Sequence, residues 1–185
     1  DVFNLAWKLD AVIRGRVAPD LLDTYESERS PHVDAFIALA VRLGDIIQTT
    51  DPQLAQERDR KFKAGQPEIF AFPSPRLGPG VLSGNHPLVG QPMTQPRLDS
   101  GKLLDEVLPQ AFAIIGLPEL LDQVDTASQN AWKAAGIQVL PARDQALRDW
   151  LQAQQLQAIV LRPDRYIQAV ANSAEDLMTL RWPWA

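Results

Sequence analysis

Two histidines, no cysteine and a few clustered charges are all that this chain of 185 residues offers toward side-chain chemistry. The missing cysteine excludes thiolate nucleophiles, disulfides, cysteine zinc sites and CxxC redox pairs. His32 follows Pro31 at an expected helix start and reads as a surface residue, while His86, between Asn85 and Pro87, reads as a turn residue. Neither lies in a cluster with metal-ligand spacing, so no metal ligand is assigned. Glu26 and Glu28 stand beside Arg29, but residues two apart on a helix face different ways. An ion-pair or capping role therefore displaces paired-carboxylate acid–base catalysis. Gly78, Gly80 and Gly84 have one residue too many for a dinucleotide loop, and no strand precedes them. Trp7, Trp132, Trp150, Trp182 and Trp184 are widely spread, which fits core or interface packing. No Ser/His/Asp set can be assembled, so no catalytic residue is assigned.

The elements that would position these residues change character along the chain. Residues 1–13 read as the inside of a helix with no capping signal in front of it. Val2, Leu5, Leu9, Val12 and Ile13 mark one apolar face, and Phe3 and Trp7 mark a second ridge. A helix apolar on two sides expects protein on both. The chain is therefore expected to be the C-terminal piece of a longer protein. Arg14 and Gly15 suit a helix end, and Pro19 a new helix carrying Leu21, Leu22 and Tyr25. Pro31 predicts a further or kinked helix, with Ser30 as its cap. Residues 51–63 form a charged, exposed helix. Residues 65–96, rich in Pro and Gly, form an irregular connector that wraps a surface or joins domains.

Beyond the connector, apolar runs at 112–115, 137–140, 158–161 and 166–170 read as strands, with helices at 128–135 and 147–155. Pro163 and Asp164 fit the centre of a type I turn, making the last two strands a hairpin. Ser173 caps a final helix. Strand, helix, strand, hairpin and terminal helix is the order of a thioredoxin-like domain. The fold class is thus α/β: a helical part over 1–64, a connector over 65–96 and a thioredoxin-like domain over 97–185.

The net charge of −5 is scattered along the sequence, which gives no basic footprint for nucleic acid and no polybasic membrane patch. Apolar stretches fall far short of the roughly 20 residues needed to cross a bilayer. With no cysteine, the expected compartment is the cytoplasm.

The opening residues Asp1, Asn4, Leu5, Ala6, Trp7, Lys8 and Leu9, followed by Leu21, Leu22, Tyr25, Glu28, Arg29 and Pro31, resemble the end of the second FAD motif in flavoprotein aromatic hydroxylases. These enzymes have the para-hydroxybenzoate-hydroxylase fold. Val2 departs from the small residue usual at its position. The second half resembles the cysteine-free, thioredoxin-like C-terminal domain of the 3-(3-hydroxyphenyl)propionate hydroxylase branch. The matching stretches are 86–90, 95–97, 103–105, 112–116 and above all 160–166, Val-Leu-Arg-Pro-Asp-Arg-Tyr.

The resemblance implies a parent enzyme that reduces FAD with NADH or NADPH, forms a flavin hydroperoxide with O2 and hydroxylates a phenolic ring. It places Asp1 and Asn4 at the edge of the FAD motif and implies upstream FAD and substrate domains of the same chain as partners. The 185 residues alone are then expected to be structural and inactive. The two-faced first helix adds a homodimer as an expectation. The alternative is a non-catalytic thioredoxin-like module for binding or oligomerisation.

Overall fold

The computed structural model describes residues 2–65 and 75–184. Helix α1 (Val2–Ile13) stops where expected: Gly15 takes φ +65°, and Gly15 and Arg16 donate their N–H groups back to Val12 and Ala11. A 3-10 turn (Pro19–Asp23) leads into α2 (Thr24–Ile47). The break expected at Pro31 does not occur, and α2 runs through it. Proline cannot donate to the Ser27 carbonyl. Contacts from outside the helix reinforce this turn instead: Gly78 N–H donates to the Glu28 carbonyl at 2.9 Å, and Ser27 Oγ donates to the Pro79 carbonyl at 2.7 Å. Helix α3 (Pro52–Lys63) is exposed and charged, with Asp51 capping the N–H groups of Gln53 and Leu54.

Part of the expected connector, residues 66–74, lies outside the described residues. From residue 75 it wraps as expected. Gly90 donates to the Ile167 carbonyl, Ile167 to that of Gln91, and Met93 to that of Arg165. These bonds cover the edge of the last strand, which would otherwise be left open to pairing.

The C-terminal half follows with α4 (Leu104–Val107), β1 (Ala113–Gly116), α5 (Pro118–Leu121), α6 (Thr126–Ala134), β2 (Gln138–Pro141), α7 (Gln145–Ala153), β3 (Ala158–Leu161), β4 (Ile167–Ala171) and α8 (Ala174–Met178). The sheet order is β2-β1-β3-β4, with β1 parallel to β2 and antiparallel to β3, and β3 antiparallel to β4. The α/β expectation holds, as does Ser173 as the cap of α8. The short helices α4 and α5 were not foreseen, because one turn leaves no period to read.

Alternation on the central strands divides the core into two layers. Ile115, Ile159 and Leu161 meet Leu104, Leu147 and Leu151 on one face. Ile114 and Val160 meet Leu120, Trp132 and Leu177 on the other. The β3–β4 turn is tight: Arg165 N–H donates to the Arg162 carbonyl at 3.0 Å, and Arg165 takes φ +66°. This is the three-residue hairpin in which a type I turn is followed by a left-handed residue. Arg165 holds that conformation with its side chain, which bonds Asp105 and the carbonyls of Leu108 and Pro109.

Candidate functional site

Helix α1 buries a polar stripe and, in part, Trp7. Val2, Phe3, Leu9 and Ile13 are exposed, whereas Asn4 and Lys8, four apart on the polar face, are buried. They are buried against charge. Glu28 of α2 and Arg162 at the end of β3 have fully buried side chains, and Asp164 in the hairpin turn is nearly so.

Arg162 grips Glu28 with both terminal nitrogens, each at 2.8 Å, and reaches Asp164 through Nε at 3.0 Å and Nη2 at 2.7 Å. Lys8 Nζ donates to Glu28 Oε2 at 2.8 Å. Asn4 Nδ2 donates to Glu28 at 2.8 Å and to Asp164 at 3.1 Å, and Trp7 Nε1 donates to Asp164 at 3.3 Å. The connector closes the cage with Val81 N–H, 2.7 Å from Glu28 Oε1. The Trp7 ring lies 5.3 Å from the Arg162 guanidinium and packs edge-on against Phe112, which also meets Trp182 and Trp184. These tryptophans take the packing role expected of them.

Two cations face two anions, so the cluster is formally neutral. Its interior position makes each charge depend on the others, because an unpaired ion there keeps its full desolvation penalty. Burial alone would raise the Glu28 carboxyl. Arg162, by hydrogen bonds and charge, overrides that with help from Lys8 and Asn4 and lowers it from 4.5 to about 2. Burial pushes the Lys8 ammonium below its ordinary value, and Glu28 opposes the shift. Burial would also lower Arg162, but the charges of Asp164 and Glu28 outweigh it and raise the guanidinium.

The Glu28 shift makes folding depend on acid in a defined direction. The folded value lies below the unfolded one, so the stabilisation is complete above about pH 4.5 and is lost as pH falls toward 2. By linkage the loss from this residue is about 3 kcal/mol. Urea unfolding at pH 6 and pH 3 captures about 2 kcal/mol of it, with Glu28→Gln expected to flatten the difference. Equal acid sensitivity of the variant and the natural chain would remove Glu28 as the cause.

A second contact joins the halves beside the first. His32, expected at the surface, is buried, with Nε2 3.1 Å from the Tyr166 hydroxyl, to which Arg29 also donates at 3.3 Å. It lies four residues after Glu28, so the same face of α2 carries both inward. Burial and then the Arg29 charge lower His32 below the ordinary imidazole value. His86 keeps its turn role, accepting from Leu88 N–H at 3.3 Å.

The glycines of the connector serve approach between protein segments. A Cβ on Gly80 would sit 2.2 Å from Glu28 Oε1, and one on Gly78 would sit 2.1 Å from the Ser27 carbonyl oxygen. Of the residues placed at the edge of an FAD motif, Asp1 lies outside the described residues, and Asn4 belongs to the charge cluster with Oδ1 buried and unpartnered. Among the described residues no group of three or more potential ligands could hold a metal ion, and no helix is long and apolar enough to cross a membrane. Lys8 and both carboxylates of the cluster are buried and engaged in hydrogen bonds, so its chemistry is that of a clamp. Sequence reasoning recognised the ion-pair character of Glu28 but missed its partners Lys8 and Arg162 and the second carboxylate of the cluster, Asp164. Each lies in a stretch already marked by the resemblance, which was the available signal.

Residues 88–181, just over half of the chain, match the HcaD C-terminal domain family, and residues 1–40 match the FAD binding domain family. A 3-(3-hydroxy-phenyl)propionate/3-hydroxycinnamic acid hydroxylase of Mycolicibacterium smegmatis (strain ATCC 700084 / mc(2)155) is 31% identical, over 97% of this chain and 39% of that protein. The like-named protein of Burkholderia cenocepacia (strain HI2424) is 30% identical, over 94% of this chain and 39% of its own length. Among solved structures, the OxyS anhydrotetracycline hydroxylase from Streptomyces rimosus superposes with a TM-score of 0.64 at 25% identity, covering 92% of this chain and 36% of that one. The chain thus spans about two fifths of the length of the curated relatives it matches.

Proposed function

Because the chain belongs to the HcaD C-terminal domain family, we propose that it is the C-terminal part of an FAD-dependent monooxygenase that hydroxylates a phenolic compound resembling 3-(3-hydroxyphenyl)propionate. The observation that carries this reading is the order of the two matches, FAD binding domain at 1–40 and HcaD C-terminal domain at 88–181, on halves locked together by one buried charge cluster.

The first-turn N–H groups of α1 have no intrahelical acceptor, and Asn4 Oδ1 has no partner. The first-turn N–H groups fit one edge of FAD and not its whole length, with Asn4 held behind them in the charge cluster. Asp1 and Asn4 are therefore assigned to the rim of the cofactor site, and the grip on FAD to upstream regions of the same chain. FAD, reduced by NADH or NADPH, supplies the oxygen chemistry, and the residues here supply position. The same upstream regions would cover Val2, Phe3 and Ile13 on α1 and Ile37, Val41 and Ile47 on α2, all exposed here. Contiguous apolar surface of this kind is otherwise a route to self-association, including a homodimer. We assign no role in nucleic-acid or membrane binding.

Visible absorption after gel filtration tests the division of labour. The 185 residues alone are expected to emerge colourless from a column run with FAD. A longer chain carrying a Gly-x-Gly-x-x-Gly unit upstream is expected to keep a yellow chromophore near unit stoichiometry and to oxidise NADH or NADPH when 3-(3-hydroxyphenyl)propionate is added. A stoichiometric chromophore on the 185 residues would overturn the assignment of FAD to the upstream regions. A start codon immediately ahead of residue 1 would favour the binding-module alternative.

A further inference from the structure

The charge cluster has an asymmetry. Asn4, Trp7, Lys8 and Glu28 lie in the stretch matched by the FAD binding domain family, and Arg162 and Asp164 lie in the stretch matched by the HcaD C-terminal domain family. Of the two carboxylates that hold α1, Asp164 therefore comes from the far end of the chain, and Glu28 is gripped from there by Arg162. We infer that Arg162 and Asp164 are positioning residues for the FAD-binding segment, setting the placement of the first turn of α1 through Asn4 and Trp7. This rests on the reading of the chain as part of a flavoenzyme.

Apolar packing places α1 through Trp7 against Phe112, while Val2, Phe3, Leu9 and Ile13 are exposed. The other contacts that hold its first two turns are polar and directional. Asn4 Nδ2 and Trp7 Nε1 both converge on Asp164 Oδ2, and Lys8 and Asn4 on Glu28, which Arg162 fixes with two parallel bonds. Asp164 is fixed in turn because it sits in a three-residue turn whose next residue, Arg165, is anchored on Asp105 and the carbonyls of Leu108 and Pro109. A line of contacts thus runs from the α4 region through the hairpin to the first turn of α1. An adjustment of the hairpin displaces Asn4, whose Oδ1 is the buried acceptor left without a partner. The C-terminal domain is in this way part of the mount of the cofactor segment.

Asp164→Asn in the longer chain is the sharpest test, since it keeps the shape of the turn and leaves the Glu28–Arg162 pair intact. Titration at 10 °C, well below melting, is expected to show about tenfold weaker FAD binding, the scale of weakening one charge-assisted acceptor. The visible-region circular dichroism of the bound flavin is expected to change as well. Tyr166→Phe is the companion variant, because it cuts the neighbouring contact to His32 and Arg29 without touching the cluster. It is expected to lower the melting temperature with FAD affinity within twofold of the natural chain. If Asp164→Asn lowers only the melting temperature and leaves affinity and flavin signal unchanged, the residue is structural and the inference falls. Equal loss of FAD in both variants also overturns it, by showing a general consequence of loosening. A natural longer chain that holds no FAD overturns the flavoenzyme reading itself and, with it, this inference.

Discussion

Glu28→Ala is expected to lower the midpoint of thermal unfolding by roughly 6–20 °C, a loss of about 3–5 kcal/mol at 2–4 °C per kcal/mol for a chain of this size. Glu28 accepts five hydrogen bonds, from Lys8, Asn4, Val81 N–H and two nitrogens of Arg162. Removing it leaves the Lys8 and Arg162 cations buried with Asp164 as the remaining carboxylate. The cost is therefore that of stranding a charge, larger than the net worth of any single bond. Lys8→Met in the same background is expected to recover part of the loss, since neighbours in one network are not additive. Melts followed by far-ultraviolet circular dichroism at pH 7 measure both. A Glu28→Ala midpoint within 2 °C of the natural chain would mean that water or a rearranged side chain satisfies the cations.

The second large effect has a steric origin. Gly78→Ala would place a methyl group 2.1 Å from the Ser27 carbonyl oxygen and 2.9 Å from Pro31 Cγ. Neither atom is the end of a flexible side chain, so the connector must lift off α2, breaking the Gly78 bond to the Glu28 carbonyl and pulling Val81 from Glu28. Overpacking of this kind costs about 1–3 kcal/mol, which is roughly 2–12 °C here. Gly44→Ala is the control. It lies within α2 with nothing within 4 Å of an added Cβ, and is expected to stabilise by up to about 1 kcal/mol. The opposite signs are the test: parallel shifts in the two variants would show that contact with α2 does not explain why Gly78 lacks a side chain.

Much of the C-terminal half was legible because its signals are local. The runs at 112–115 and 158–161 fall on the two central strands, buried on both faces. Pro163 and Asp164 mark the hairpin turn, and Ser173 marks the start of α8. The N-terminal half misled in places where partners distant in sequence decide. Apolar periodicity on α1 gave no sign that Asn4 and Lys8 are what the chain buries most deeply there. His32 beside Pro31 had the look of a surface helix start. It is interior because α2 continues through the proline, and because Tyr166, 134 residues away, meets its ring. The spacing of the three connector glycines does not fit a dinucleotide loop, but no rule of spacing could show that Gly78 and Gly80 lie against α2 and Glu28.

By itself the sequence determined the strands, most of the helices, the cap of α8 and the absence of thiol chemistry, since each rests on residue type and short-range period. It also supplied the motif stretches around Asn4, Glu28 and Arg162, which point to a flavoprotein hydroxylase. Tertiary structure alone decided that these stretches meet. A buried carboxylate between two cations is tolerable only when all its partners arrive together, and the partners of Glu28 come from residues 4, 8, 81 and 162. No single stretch of the chain holds that neutrality. It exists only once α1, α2, the connector and the hairpin have been brought to one point.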